Sequence, residues 1–346
     1  MNLKALLTWS EKEFSHLPWR NNRSLYRTLV SEIMLQQTTV GTVKNHYERF
    51  LKDFPTLEDL ASATNDELTV AWKGLGYYRR SRNLKKIAES IARDHQGKFP
   101  GSIEKLLEIP GIGPYTANAL IGIGMDQRAL AVDANLERVI ARLFQIKMEK
   151  GLKLQKEIHK LFNEKKIFSG KQSFRNLNEA LMDLGRTYCQ ARKASCELCP
   201  LKRDCLSFKN GDPLSFPLTV ESKKKKTIKH EIHLLRIFIL KDQKLLVYRK
   251  SDSEWLSGQY EVPTFVLSSS DEKLRQYPRL TQKVKPLFSF KTGITKYKIQ
   301  NSVLILSEKE FKKISFASPV EWRSVASASA NFSTATLKGL RKLLAD

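Results

Sequence analysis

Hydrophobic residues recur at helical spacing through the first half of this 346-residue chain. Sets such as Leu25, Leu29 and Ile33 lie four positions apart, which places them on one face of a helix, and glycine or proline separates one set from the next. The region from 24 to 189 is therefore predicted to be all-α.

After residue 228 the pattern changes to that of β-strands. Apolar runs at 232–240, 245–248 and 303–306 predict three strands. Residues 333–344 have the spacing of an amphipathic helix with Ser333 as its N-cap. An α+β arrangement is expected for this part of the chain.

The change of pattern predicts two domains joined by a linker. Gly-Asp-Pro at 211–213 and the lysine-rich run at 222–227 interrupt both periodicities. We predict a helical domain over 1–210, a linker over 211–228 and a second domain over 229–346.

The composition is that of a globular protein with a large basic excess. The chain is 41% hydrophobic, and its formal net charge of +24 is shared by both halves. This charge favours a polyanionic partner, with nucleic acid as the first candidate and an anionic membrane surface as the alternative. The first residues lack the apolar stretch of a signal peptide, and no segment has the length of a bilayer span. We expect a cytoplasmic monomer with no membrane association.

Four cysteines are the chain's entire complement, and they fall in one short run, C-x6-C-x2-C-x5-C. Four thiols so close together predict a single tetrahedral metal site, filled by Zn²⁺ or an iron–sulfur cluster; two structural pairs or inert thiols are the alternative. Zinc sites usually contain two C-x2-C pairs and this run contains one, which favours a [4Fe–4S] cluster. The predicted ligands are Cys189, Cys196, Cys199 and Cys205, in a loop over 189–205.

The segment I-P-G-I-G separates a helix capped by Ser102 from a second predicted helix, which spans 115–124 and is preceded by Pro114. Gly111 and Gly113 let the backbone approach an anion closely, and the second helix directs free N–H groups towards it. The alternative is an ordinary tight turn with no binding function, which has the same sequence. With its neighbours, the segment predicts a helix-hairpin-helix that binds the DNA backbone.

Asp133 follows Tyr115 by 18 positions, within A-V-D-A-N-L-E-R. The chain thus contains, in order, a helix-hairpin-helix, the string V-D-x-N and a four-cysteine loop. Over about residues 14–210 this pattern resembles the helix-hairpin-helix DNA glycosylases of the endonuclease III superfamily. In the endonuclease III branch the hairpin carries a catalytic lysine that forms a Schiff base with the sugar. Tyr115 stands in that place here, which implies a monofunctional, hydrolytic glycosylase.

Three further strings, L-P-W-R at 17–20, S-E-I-M-L-Q-Q-T at 31–38 and G-L-G-Y-Y at 74–78, resemble the MutY family of bacterial A/G-specific adenine glycosylases. That family removes adenine mispaired with 8-oxoguanine or guanine. On a helix predicted over 26–37, Glu32 and Gln36 share one face.

The resemblance implies a chemical role for each of two carboxyl groups. Glu32 is expected to protonate adenine N7, and Asp133 to stabilise the oxocarbenium ion or bond to it transiently. Desolvation should raise the pKa of Glu32 so that it keeps its proton near neutral pH, whereas Asp133 should stay ionised near helix N-termini.

The resemblance also implies roles for other positions. Tyr115 and Asn135 are expected to hold the sugar and Asp133, Glu179 to contact adenine, and Gln37 and Tyr77 to wedge into the base stack. The remaining predicted DNA- and substrate-binding residues are Trp19, Arg20, Gln36, Gly111, Gly113 and Thr295.

The second domain carries W-L-S-G-Q-Y-E-V-P at 255–263, which resembles a segment of the Nudix-related domain with which this family reads 8-oxoguanine. No glutamate-rich Nudix box is visible, so neither pyrophosphatase activity nor a Mg²⁺ site is expected. Where the family's reading loop has F-S-H, this chain has Ile294, Thr295 and Lys296; Thr295 offers a hydroxyl but no imidazole stands beside it. Ala134 replaces the glycine usual in V-D-G-N. Discrimination between 8-oxoguanine and guanine is left open.

The predicted fold is an all-α, two-lobed glycosylase domain with an iron–sulfur loop, followed by an α+β Nudix-like domain. The predicted function is removal of adenine from A:8-oxoguanine or A:G mispairs in double-stranded DNA, in base excision repair. One alternative is an endonuclease III-like glycosylase and lyase for oxidised pyrimidines, which Glu32 and Tyr115 disfavour. The other is a non-catalytic iron–sulfur DNA-binding protein.

Overall fold

The chain of the computed structural model separates into two compact units, one of residues 1–63 and 74–224 and one of residues 64–73 and 225–346. The structure describes residues 1–218, 229–251, 253–280, 284–294, 296–326 and 331–345. The charged run at 222–227 and Thr295 lie outside these described residues. Within them, none of the helices has both the length and the apolar character needed to cross a bilayer.

The helices of the first unit lie within residues 1–210, which were predicted to form the helical domain, although α1 and α12 fall outside the all-α stretch predicted over 24–189. In chain order they are α1 (Leu3–Phe14), α2 (Leu25–Leu35), α3 (Val40–Asp53), α4 (Leu57–Ser62), α6 (Arg79–Asp94), α7 (Ile103–Leu107), α8 (Pro114–Ala119), α9 (Ala134–Leu143), α10 (Leu152–Asn163), α11 (Phe174–Thr187) and α12 (Leu206–Lys209), with α5 (Asn65–Ala71) grouped with the second unit. A π-helical turn, Leu120–Gly124, continues α8. Helices α1, α9, α10 and α11 enclose a core around Leu136, Ile140, Ile158 and Leu181.

Two predicted helix boundaries differ from the structure. The helix predicted over 26–37 ends at Leu35, and Gln37 takes a left-handed backbone conformation with φ 55°. Gln36 is therefore the C-cap that follows the last residue of α2, and the predicted helical face shared by Glu32 and Gln36 does not extend to it. The second helix of the hairpin is α-helical only to Ala119, where the wider π turn begins.

In its described residues the second unit contains one mixed sheet and one antiparallel sheet, and its strands overlap the three runs that were predicted to be strands. Their strands are β1 (His230–Phe238), β2 (Leu240–Lys241), β3 (Lys244–Arg249), β4 (Tyr260–Glu261), β5 (Thr264–Ser269), β6 (Phe288–Ile294), β7 (Tyr297–Ile305) and β8 (Val320–Ser324), accompanied by helices α13 (Glu308–Phe311) and α14 (Thr334–Leu343). One sheet has the order β5-β1-β7-β6, with β1 and β7 parallel; in the other, β3 pairs with β2, β4 and β8. Ser333 caps α14, as predicted.

A buried charge network connects the two sheets of this unit. Glu261 accepts hydrogen bonds from Arg236 at 2.5 Å and from Lys250 at 2.7 Å, and all three side chains are at most 3% exposed. Tyr277 donates a further bond to Glu261 at 3.0 Å. Although burial opposes ionisation, the two cations lower the pKa of Glu261 to about 2. The single negative charge of Glu261 therefore offsets one of the two positive charges that are buried beside it.

Candidate active site

The first unit contains a cavity of about 1110 Å³ between α2, α9 and α11. It brings together residues that are far apart in the sequence, with Glu32 and Asp133 separated by about a hundred positions. Nine of the predicted site residues line it, namely Trp19, Arg20, Glu32, Gln36, Gln37, Tyr115, Asp133, Asn135 and Glu179. Tyr77, Gly111 and Gly113 do not line this cavity.

Glu32 lies on the buried face of α2 and is 5% exposed. Burial raises the pKa of its carboxyl group from 4.5 to about 7, helped by the negative charges of Glu179 and Asp133 and opposed by a hydrogen bond from the Tyr115 hydroxyl. That hydrogen bond occupies Oε2. A carboxyl group in these surroundings exchanges a proton near neutral pH.

Asp133 is the N-cap of α9 and faces the same cavity. Its Oδ1 accepts from the backbone N–H groups of Asn135 at 2.9 Å and Leu136 at 2.8 Å, and its Oδ2 accepts from the Asn135 side chain at 2.8 Å. Burial raises the pKa of Asp133 above its usual value, and these three hydrogen bonds oppose the shift without reversing it. The helix N-terminus stabilises the ionised form of this group.

Glu179 is part of an ion-pair network at the cavity wall. Arg23 donates to both of its carboxylate oxygens, at 2.7 and 3.0 Å, and Arg20 approaches at 3.5 Å. Arg20 also pairs with buried Asp183 at 2.7 Å. Sequence reasoning missed Arg23 and Asp183, because nothing in their local sequence distinguishes them from solvated surface charges.

Arg138 connects the Asp133 site to the cysteine loop, which the sequence did not indicate. Its guanidinium donates to the Asn135 side-chain oxygen at 2.9 Å and to the backbone oxygen of Cys189 at 2.7 Å. Asn135 thus donates to Asp133 and accepts from Arg138, which fixes the orientation of its amide.

Gln37 lines the cavity and Tyr77 does not, but the two residues share an unusual backbone conformation. Both are exposed, Tyr77 by 63%, and both have left-handed backbones, with φ 55° and 46°. In the hairpin, Gly111 has φ 101°, a region that favours glycine, and Gly113 is the N-cap of α8 with open space around it.

The four cysteines surround one small enclosed cavity of about 30 Å³. All four are free and half-buried, and Arg142 donates to the Cys189 sulfur at 3.3 Å. Burial raises the pKa of Cys199 to about 12, so its thiolate requires a compensating cation. Thiolates are the type of ligand that zinc ions and iron–sulfur clusters take. Among the described residues, no group of three or more His, Cys, Asp or Glu side chains has the geometry to hold a single metal ion.

Known proteins resemble this chain in both sequence and fold. The profile of the HhH-GPD superfamily of base excision DNA repair proteins matches residues 30–164. An adenine DNA glycosylase of Buchnera aphidicola subsp. Baizongia pistaciae is 35% identical over 247 residues, which are 68% of this chain and 67% of the relative. The chain belongs to the adenine DNA glycosylase family.

Other members of the family match a shorter part of the chain. An adenine DNA glycosylase of Buchnera aphidicola subsp. Schizaphis graminum is 34% identical over 214 residues, or 62% of this chain and 60% of the relative, and that of Homo sapiens is 36% identical over 210 residues, or 58% and 38%. The chain thus spans about 60% of the length of the first of these adenine DNA glycosylases.

Among solved structures, a thermostable thymine-DNA glycosylase superposes with a TM-score of 0.52 at 29% identity, covering 60% of this chain and 95% of that one. The helical glycosylase fold is therefore shared, and the β-rich second unit is additional to it.

Proposed function

We propose that this protein is a monofunctional adenine DNA glycosylase that hydrolyses the N-glycosidic bond of adenine mispaired with 8-oxoguanine or guanine. The observation that carries the proposal is the presence of two carboxyl groups in one cavity with different surroundings. Glu32 is desolvated and has a pKa of about 7, whereas Asp133 accepts three hydrogen bonds at the start of α9. Base excision needs one carboxyl group that gives a proton and another that carries negative charge.

In the proposed reaction, Glu32 transfers its proton to adenine N7 as the bond between C1′ and N9 breaks. The bonding electron pair leaves with the base, so adenine departs as a neutral molecule, and the positive charge remains on the deoxyribose. Water then adds to C1′, and its proton returns to the ionised Glu32, which restores the starting state. Protonation matters because anionic adenine is a poor leaving group.

Asp133 is proposed to stabilise the positive charge on the sugar, either as an ion pair or by bonding to C1′ transiently. Its hydrogen bonds with Asn135 and Leu136 hold the carboxylate in one orientation. A fixed negative charge stabilises a developing cation without reorganisation at the moment of reaction. Asn135 acts through Asp133, and Tyr115 acts through Glu32 as well as holding the sugar.

The lining of the cavity argues against the lyase alternative. Among the described residues that line it, none is a lysine, and the Tyr115 phenol cannot form an imine. An endonuclease III-like reaction requires an amine that attacks C1′.

DNA binding is proposed to use several parts of the chain. The hairpin at Gly111 and Gly113 contacts phosphates, Gln37 and Tyr77 fill the space left by the flipped base, and Glu179 contacts adenine with Trp19, Arg20 and Gln36 around it. The second unit is proposed to be Nudix-like and to read the partner base with the segment that follows β6 in the sequence, which includes Thr295. The protein is proposed to act as a cytoplasmic monomer.

The four cysteines are proposed to hold a [4Fe–4S] cluster that shapes a basic DNA-binding loop. Arg142 offsets negative charge on the sulfurs, and no redox step is required for base removal. We expect about four irons per chain and a broad brown absorption. A colourless protein with one zinc per chain would contradict this part of the proposal.

Single-turnover release of adenine from duplexes that pair it with 8-oxoguanine, guanine or thymine tests the function. We expect release from the first two and little from A:T. Glu32→Gln should bind the same duplexes and release no adenine, whereas Glu48→Gln, an exposed change on α3, should act like wild type. Efficient borohydride trapping on damaged pyrimidines would instead support the lyase. Binding without release by the wild-type protein would support the non-catalytic alternative.

A further inference from the structure

Arg80, in the first turn of α6, is 9% exposed and makes an unusually large number of hydrogen bonds for one side chain. Its guanidinium donates to two short segments that are about 40 positions apart in the sequence. The acceptors are the backbone oxygens of Ile33, Met34, Gln36, Leu75 and Gly76 and the hydroxyl of Thr38, at 2.8 to 3.2 Å apart from a closer contact with Gln36.

The first of these segments is the end of α2. A helix leaves its last carbonyl groups without partners within the helix, and Arg80 binds those of Ile33 and Met34. It also binds Gln36 and Thr38, the neighbours of Gln37 on either side. The turn that carries Gln37 is thereby fixed at both ends.

The second segment leads directly into Tyr77. Arg80 binds the carbonyl groups of Leu75 and Gly76, its backbone N–H donates to Tyr77 O at 2.9 Å, and its guanidinium lies 5.6 Å from the centre of the Tyr77 ring. The Arg80 guanidinium thus holds Gln37 and Tyr77 in left-handed backbone conformations. Residues other than glycine rarely adopt these conformations without support.

We propose that Arg80 is a positioning residue that holds Gln37 and Tyr77 ready to enter the DNA base stack. The proposal rests on the proposed function, in which these two residues replace the flipped adenine. Arg80 is too deeply buried to contact DNA with its own head group, so it acts through the two segments. Lysine cannot substitute, because one ammonium group lacks the planar fork that reaches both segments.

The test separates flipping from chemistry with two duplexes. In the first, A:8-oxoguanine lies among normal pairs; in the second, the pairs on either side are mismatched, so that adenine is weakly stacked and flipping costs less. We expect Arg80→Lys to slow adenine release about tenfold or more on the first duplex and about twofold or less on the second. A fluorescent 2-aminopurine in place of the adenine should show reduced extrusion by the same variant on the first duplex.

Arg128→Lys is a matched control. Arg128 also binds two backbone carbonyl groups, those of Phe162 at 2.5 Å and Phe168 at 3.2 Å. Neither of them lies in the segments that carry Gln37 and Tyr77. Its ratio of rates on the two duplexes should equal that of wild type. Should Arg80→Lys fail to fold, Thr38→Val removes one acceptor of the same guanidinium and should shift the ratio in the same direction by a smaller factor.

The outcomes distinguish a failure of the proposed function from a failure of the role assigned to Arg80. No adenine release by wild type from either duplex would overturn the proposed function. If wild type is active, a folded Arg80→Lys whose ratio of rates on the two duplexes equals that of wild type would overturn the role of Arg80. Equal slowing on both duplexes is one such result. Where only Thr38→Val folds, a wild-type ratio for that variant would overturn the role as well.

Discussion

Replacing Glu32 with glutamine removes a titrating group from a buried position with almost no change in size. The amide oxygen can still accept the hydrogen bond from Tyr115 that the carboxylate accepts in the wild-type protein. The variant therefore isolates the effect of charge at this position on both stability and base release.

The magnitude follows from the pKa of Glu32, which burial raises from 4.5 to about 7. Below pH 4.5 the carboxyl group is protonated in both the folded and the unfolded chain, and its contribution to stability is fully present. Between pH 4.5 and 7 the unfolded chain loses this proton while the folded protein keeps it, so stability falls progressively and the loss is complete once the buried group has also ionised above pH 7. At about 1.4 kcal/mol per pKa unit, the loss is about 3 kcal/mol.

Urea unfolding of wild type and Glu32→Gln at several pH values between about 4.5 and 8.5 measures this loss. The free-energy difference between the two proteins should change by about 3 kcal/mol in favour of the variant across that range. Glu48→Gln, which removes an exposed carboxyl group, should show a nearly constant difference. Adenine release by wild type should decline above pH 7, because the acid loses its proton.

A difference between wild type and Glu32→Gln that stays constant across this pH range would refute the reasoning. It would mean that Glu32 ionises in the folded protein as easily as in water. Unchanged adenine release by Glu32→Gln would separately remove Glu32 as the proton donor.

Three further changes test other contacts. Tyr115→Phe removes a hydrogen bond that lowers the pKa of Glu32, so the alkaline limb of the pH profile of base release should move to higher pH; a shift to lower pH would contradict this. Asn135→Ala removes a donor to Asp133, so the pKa of Asp133 should rise and the acid limb of the same profile should move to higher pH, and an unmoved limb would count against the contact. Glu261→Gln leaves two buried cations without their counter-charge and should destabilise the second unit by about 3 to 5 kcal/mol at pH 7 in urea unfolding, an expectation that wild-type stability would exclude.

The helical hairpin, the strand-rich second half and the family were all accessible from local patterns. Apolar spacing and glycine positions determine local backbone preferences, which is why the predicted elements are present near their predicted positions. Boundaries were less accurate. The helix predicted over 26–37 ends at Leu35, and Arg80, more than 40 positions later, binds its terminal carbonyl groups, a contact that no local signal reveals.

The sequence by itself determined which chemical groups this protein possesses, including the two carboxyl groups, the tyrosine in place of a lysine and the four clustered cysteines. Tertiary structure alone decided their surroundings. Folding buries Glu32, places Tyr115 against it and sets Asp133 at a helix N-terminus in the same cavity. A pKa depends on solvent exclusion and on charges brought close in space, and both of these arise only when distant segments pack together.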